Sequence, residues 1–366
     1  LLLSWVILYV LLLIMSIKNI SLSVASIISL VIFFSFLSNS KSDEKNIKHY
    51  SKDEGILSIM YHRFNENKYP STNIKMEIFK EHINLIKQSN YKFYNPLNFK
   101  KEFLIPRNKK VILLTIDDAF QSFYLEAWPF LKKNKIPFIL FVSTEPVGKK
   151  GYMTWNQIKE IEKEPFVFIG HHSHSHEYLI DKTENEFIND IKIADKEFLN
   201  NLGYIPNFFS YPFGEYSEFM RKFISKNFDF AFGQHSGVID LNKDKYELPR
   251  FPINENYGEL KRFNSILKSY PLEFKNLFPS EKQINKENNP PSFKVEFFNE
   301  QENLKELNCY SNELGEWEKS EIKITDNILT INFRGAFVPR RGRINCSLRD
   351  NGKWRWFGSQ FIIKEN

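Results

Sequence analysis

Cysteine is nearly missing from this chain: two residues, Cys309 and Cys346, in 366. They can form at most one bridge, so no cysteine framework holds the fold. Excess charge of one sign is missing too. The formal charge is +6, from 50 basic and 44 acidic residues spread along the chain. No basic stripe with interleaved aromatics is present, and a nucleic-acid partner has no support. No segment repeats at 20–50 residues, which excludes a solenoid or propeller. Stability must therefore come from a packed core. The material for one is abundant: 42% hydrophobic and 16% aromatic residues, with 36 phenylalanines. The length suits one sizeable domain and a smaller one.

Long hydrophobic runs occur only near the start. Leu1 to Ile17 is almost wholly apolar, Lys18-Asn19 interrupts, and Ile20 to Leu37 is apolar again. One reading is two short membrane helices, each near the lower limit of the roughly 17–25 residues that span a bilayer. A second takes Met15 as the start. Met15 to Asn19 is then a basic leader, Ile20 to Leu37 an apolar stretch and Ser38-Asn39-Ser40 a cleavage site. Both make residues 1–40 a signal peptide or membrane anchor, and the rest exported. The expected location is periplasmic, extracellular or anchored at the cell envelope. The charged stretch 41–54 reads as a solvated tether.

From Gly55 to Tyr270, apolar runs alternate with helical patterns. Strands are expected over Ile56–Tyr61, Val111–Ile116, Pro137–Ser143, Phe166–Gly170, Phe208–Tyr211 and Asp229–Phe232. Helices are expected over Ile78–Gln88, Leu125–Asn134, Trp155–Lys163 and Asp181–Leu202. This alternation predicts an α/β domain with a parallel sheet or barrel, over 55–270. Its site should collect at the carboxyl ends of the strands. His62, Asp117, Asp118, His172 and Pro212 stand at such ends. Residues 271–292, rich in Lys, Asn, Glu and Pro, read as a linker. From 293 to 366 short strands follow one another without helices, which predicts a small all-β sandwich.

The densest chemistry is His171-His172-Ser173-His174-Ser175-His176, which holds half of the eight histidines. It follows one apolar strand, and Thr115-Ile116-Asp117-Asp118 ends another. Imidazole nitrogen and carboxylate oxygen together suit a divalent ion such as zinc. Spacing alone does not choose among His172, His174 and His176, which share a face if the segment is extended.

These motifs resemble the polysaccharide deacetylase family, NodB-like, of carbohydrate esterase family 4. Thr115-Ile116-Asp117-Asp118 looks like its T-F-D-D motif and His172-Ser173-His174-Ser175-His176 its H-[S/T]-x-x-H motif. Phe209-Ser210-Tyr211-Pro212-Phe213-Gly214 resembles its substrate-groove motif. The resemblance implies a distorted (β/α) barrel and one divalent metal, zinc first, with Co, Ni, Mn or Fe as alternatives. It implies Asp118, His172 and His176 as ligands, and Asp117 as the general base that takes a proton from water. It leaves His174 as a neighbour and His171 as a rim residue. No late L-x-H motif follows His235. Met60-Tyr61-His62-Arg63 instead resembles the poly-N-acetylglucosamine deacetylase branch, which implies His62 as general acid. The competing reading of His62 is a structural strand cap. His235 is the competing acid and reads first as a groove residue.

The chain departs from the family pattern at two points. Ala119 stands where a glycine often follows the Asp pair, and Ser210 where an arginine often orients the catalytic Asp. Arg250 either supplies that charge from another strand or lies on the surface. Tyr211, Pro212, Phe213, Trp155, His235 and Arg250 form the expected substrate set. Core packing is the alternative for Tyr211, Phe213 and Trp155. In the C-terminal domain, Trp354 and Trp356 are either a carbohydrate-binding face or sandwich core. An exported domain with two cysteines predicts a Cys309–Cys346 disulfide. The function expected is removal of N-acetyl groups from a glycan. The alternatives are a catalytically weak glycan binder on this fold, or an amidase or esterase acting on another acylated substrate.

Overall fold

The structure, a computed structural model, describes residues 54–105, 110–298 and 303–364. The expected leader or anchor at 1–40 and tether at 41–54 lie outside them, save Glu54. Among the described residues no helix is long and apolar enough to cross a membrane.

Seven parallel strands form the first part of the chain. They are β1 (Ile56–Tyr61), β2 (Val111–Asp117), β3 (Phe138–Val142), β4 (Val167–His171), β5 (Phe208–Ser210), β6 (Phe230–Phe232) and β7 (Phe251–Pro252). Their order is β7-β1-β2-β3-β4-β5-β6, and a short Lys92–Phe93 strand pairs with the start of β2. A parallel bridge between Phe232 and Leu248 brings the approach to β7 against β6. The sheet thus curls into a distorted parallel barrel. Every position of β1, β2 and β3 is buried, as both-face coverage demands. Alternate residues serve two cores. Ile112, Leu114 and Leu140 join the core shared with the helices, while Leu113, Ile139 and Phe141 join Phe208 and Phe232 in another.

The helices are α1 (Met76–Gln88), α2 (Trp128–Asn134), α3 (Trp155–Glu162), α4 (Glu184–Leu202), α5 (Glu218–Asn227) and α6 (Leu260–Leu267). α1 buries Met76, Phe79, Ile83 and Ile86 on one face. α4 starts at Glu184 rather than Asp181 because Thr183 and Glu186 form a reciprocal capping box there. The segment before α2, expected as helix from Leu125, is a π-helical turn over Phe123–Ala127.

The C-terminal part comprises two sheets. Its strands are β8 (Ser269–Pro271), β9 (Asn276–Phe278), β10 (Gln283–Ile284), β11 (Lys294–Glu296), β12 (Asn308–Ser311) and β13 (Glu318–Lys319). They continue with β14 (Glu321–Thr325), β15 (Ile328–Asn332), β16 (Arg341–Asp350) and β17 (Lys353–Ile363). One sheet runs β8-β17-β16-β12-β13, with β10 also on β17, and the other β9-β11-β15-β14. They share a core of Phe293, Val295, Leu329, Ile344, Phe357 and Phe361. β16 shows why the pattern was readable: Gly342, Ile344, Cys346 and Leu348 alternate inward. Residues 271–292 are not a free linker. β9 pairs with β11 and β10 with β17, so polar composition conceals strands at sheet edges. Cys309 and Cys346 face each other on antiparallel neighbours, Cα atoms 4.1 Å apart and sulfurs bonded.

Candidate active site

Register builds the site. Tyr61 pairs with Ile116, Ile116 with Leu140, and Asp117 with Phe141. The residue after each of β1, β2 and β4 therefore emerges at one end of the barrel: His62, Asp118 and His172. Asp117 ends β2 with its side chain buried, and Asp118 turns away with φ +74°. The two carboxylates thus serve different partners, as adjacent positions on a strand allow. Ala119 is also left-handed, φ +53°, which is why a glycine suits this position.

Asp118 Oδ1 lies 3.3 Å from His172 Nε2 and 3.0 Å from His176 Nε2. Ligand atoms of the three residues fall within 4.8 Å of one another. His172 Nδ1 is 2.7 Å from the Ser210 carbonyl and donates to it, which leaves Nε2 as a bare lone pair. Asp118 Oδ1 and His172 Nε2 are buried without a hydrogen-bond partner. Unspent acceptors converging on one point fit a divalent ion, and the one-carboxylate, two-imidazole set fits zinc or its neighbours. Burial alone would raise the Asp118 carboxyl, but His176, His172 and His62 hold it well below its ordinary value.

Asp190 braces the histidine loop from α4, accepting from the His174 and Ser175 backbone at 2.8 and 3.0 Å. His174 turns aside to Thr144 Oγ1, 2.8 Å away. His171 is not at the rim. It is buried among Phe198, Phe209 and Phe228, 3.4 Å from Asp195. It is the last residue of β4, so its side chain falls on the face opposite that of His172.

Asp117 is gripped by Arg250. Nη1 donates to Oδ1 at 2.7 Å and Nη2 to Oδ2 at 2.8 Å. Arg250 also donates to Ser210 Oγ, Thr115 Oγ1 and the Gly233 carbonyl. It is 0% exposed, so the surface reading falls, and so does direct contact with substrate. Burial would raise Asp117, yet Arg250, followed by His172 and His62, pulls it below the ordinary carboxylate value. His62 is half-buried, and burial lowers its pKa. Asp118 and Asp117 pull upward, Arg250 and His172 downward, which also places it within their reach.

The expected groove set divides. Phe213 stands beside the metal-type cluster, its ring 4.7 Å from His176. Tyr211 does not line it: the ring is buried and its hydroxyl bonds the Tyr246 carbonyl. Pro212 is buried at the head of a 3-10 turn. Trp155 packs edge-on against Phe198, the helix-packing alternative. His235 lines a different cavity, with Lys282, Trp356 and Gly358. There burial, then Lys282 and Arg250, push its pKa down to about 3, so its imidazole is uncharged near neutrality. Trp356, on β17, packs on Phe251 of β7. Gly358 is needed there, because a Cβ would meet the Ser236 carbonyl at 2.3 Å. The sequence reading missed Asp190, Glu215 and Tyr178, which carry no motif spacing.

Residues 105–228 match the sequence model of the polysaccharide deacetylase family. That stretch includes the Asp pair and the histidine run, so the match supports the resemblance read from those motifs. Among curated proteins it is similar to poly-beta-1,6-N-acetyl-D-glucosamine N-deacetylase of Staphylococcus aureus, 22% identical over 264 residues. That match covers 63% of this chain and 90% of the relative. Among solved structures, its fold is that of IcaB from Ammonifex degensii, with a TM-score of 0.51 and 24% identity, covering 58% of this chain and 96% of that one. It is also that of Streptococcus pyogenes deacetylase PplD in complex with acetate, with a TM-score of 0.51 and 21% identity, covering 56% and 95%.

Proposed function

We propose that this chain is an exported, metal-dependent deacetylase that removes N-acetyl groups from a glycan of the poly-N-acetylglucosamine type. The observation that carries the reading is the convergence of unpartnered Asp118 and His172 acceptors on His176, with a second carboxylate alongside. Asp118, His172 and His176 would hold the ion. When bound, a divalent ion supplies Lewis acidity to the acetamide carbonyl and lowers the pKa of water toward about 7.

Asp117 is the proposed general base. Its lowered pKa keeps it ionised, and Arg250 fixes its orientation, so it can accept the proton of the attacking water. His62 is the proposed general acid. The C–N bond breaks only if its nitrogen is protonated, because an amine anion is a very poor leaving group. A lowered pKa makes the His62 imidazolium a stronger donor for that step. The apolar run in residues 1–40 supports export or anchoring at a membrane. The likeness to the staphylococcal relative supports the glycan class.

The test is acetate release from N-acetylated glycans by full-length protein loaded with zinc, cobalt, nickel, manganese or iron. Asp117→Asn and His62→Ala should keep the metal and lose about 10²–10⁴-fold in rate. Near-wild-type turnover in His62→Ala would remove the acid assignment. Absence of acetate release from every glycan, with ion bound, would remove the function.

A further inference from the structure

The C-terminal domain reaches the rim of the site. Gln360 on β17 donates to the carbonyls of Phe213 and Gly214, at 3.3 and 3.1 Å. Glu215, 1% exposed, accepts from Arg340 and from Arg341 Nε, each at 2.8 Å at the nearest. Arg340 also binds Asp181, just before α4. The turn after β5 is thus held by Gln360, Arg340 and Arg341 of the C-terminal part. That turn carries Phe213 in the left-handed conformation, φ +58°. Its ring lies 4.7 Å from His176 and 4.4 Å from Tyr178. The Arg341 guanidinium stands 5.1 Å from the Phe213 ring and 5.8 Å from that of Tyr178.

We infer that Tyr178, Phe213 and Arg341 form a sugar subsite beside the metal-type cluster, one wall of it supplied by the C-terminal domain. The inference rests on the deacetylase reading of the site and extends it to the neighbouring sugar of the same glycan. Tyr178 is 42% exposed and the Arg341 side chain 25% exposed, so both are reachable. Among the described residues only Nε of Arg341 is hydrogen-bonded, which leaves its terminal N–H groups for hydroxyl oxygens. The Arg340 guanidinium covers the Tyr178 ring at 4.1 Å and Phe213 packs on it at 4.4 Å, so Tyr178 offers its exposed edge and hydroxyl to a sugar. The charges cancel locally: Arg340 and Arg341 face Glu215 and Asp181. A balanced surface suits an uncharged N-acetylated sugar rather than a polyanion.

The experiment compares two substrates on the full-length, metal-loaded protein: a hexamer of N-acetylglucosamine and an aryl acetate ester too short to reach the subsite. Arg341→Ala and Tyr178→Ala should raise KM for the hexamer roughly three- to ten-fold, as loss of one or two modest contacts implies. Their kcat/KM ratio of hexamer to ester should fall by the same factor. Tyr178→Phe should lower the ratio as Tyr178→Ala does, because the exposed hydroxyl is lost while the ring packing remains. Lys323→Ala, an exposed change elsewhere on the domain, serves as control. Equal losses on both substrates, or no change in hexamer KM, would overturn the subsite. Hexamer binding by calorimetry separates this inference from the deacetylase reading. If no acetate is released but both variants bind hexamer more weakly, the subsite stands and the function does not. If the wild type neither binds nor cleaves the hexamer, the subsite is overturned as well.

Discussion

Replacing Arg250 by methionine would leave Asp117 as a buried carboxylate without its counter-ion. Both side chains are 0% exposed, and the pair is joined by two parallel N–H···O bonds. What remains near Asp117 is weak: Ser210 Oγ at 3.4 Å and His172 Nε2 at 3.9 Å. Breaking a buried pair from one side costs about 3–5 kcal/mol, because the surviving charge is still desolvated. Against a total stability of about 5–15 kcal/mol, that is a large fraction. Arg250→Met together with Asp117→Leu removes both charges, so it should cost less than the sum of the single changes by about 1–3 kcal/mol.

Urea unfolding of the metal-free protein at neutral pH measures all four corners of this cycle. The pH dependence supplies a second check, with opposite signs in the two backgrounds. In the wild type Asp117 lies below its ordinary value. Its contribution is therefore present above the unfolded pKa, about 3.9, and fades as pH falls through the folded value. In Arg250→Met the desolvation of Asp117 loses its main opposition, so the folded pKa rises. Stability should then fall as pH rises above about 3.9. Additive single changes, or a cost under about 1 kcal/mol for Arg250→Met, would refute the pairing as the support of Asp117.

Other expected outcomes are as direct. His172→Ala and His176→Ala should each abolish tight zinc binding by calorimetry, whereas His174→Ala should keep it, since that ring bonds Thr144 instead. His171→Ala should keep zinc but lower the melting temperature, because it empties a site among three phenylalanines. The Cys309–Cys346 bridge spans 37 residues, so Cys309→Ser/Cys346→Ser should lose about 3–4 kcal/mol if chain entropy dominates. Burial would raise Glu313, yet bonds from Arg334, Ser311 and the backbone hold it down to about 2. Its contribution should be full above about pH 4.3 and disappear as pH falls toward 2. Glu313→Gln should flatten that acid slope in a melting-temperature series.

What was legible in the sequence follows periodicity and local chemistry. Continuous apolar runs marked β1, β2 and β3 to within a residue, because strands covered on both faces have no polar interruptions. The Asp pair and the histidine run marked the metal-type cluster, because each is a short run of polar residues directly after an apolar strand. α5 escaped notice because, of its ten residues, only Met220 and Ile224 are buried. The stretch 271–292 read as linker because edge strands such as β9 keep their side chains largely in solvent. Tyr211 and Phe213 are indistinguishable in a motif, yet one points into the core and the other toward His176. The left-handed Phe213 backbone decides this, and no residue type at that position announces it.

The supports of the site were harder to read for a physical reason. Asp118, Ala119, Ser173, His176 and Phe213 all adopt positive φ without being glycine. Each such residue costs about 1–3 kcal/mol and persists only where surrounding contacts overdetermine it. Those contacts come from distant parts of the chain: Asp190 from α4 onto the histidine loop, and Gln360 from β17 onto the Phe213 turn. Met153 holds the Ala119 carbonyl at 2.9 Å from before α3. A strained turn can be written in four or five consecutive residues, so it reads as a motif. The contacts that hold it are set by the three-dimensional fold, and only the requirement of burial or charge constrains their place in the sequence. Arg250 shows the consequence. It lies 133 residues from Asp117, on the approach to β7, and performs the orienting role expected at Ser210. Because β5 and the approach to β7 both flank β6, a guanidinium from either side reaches the same carboxylate. The barrel thus brings a charge to Asp117 from a place in the chain far from the motif that carries the carboxylate.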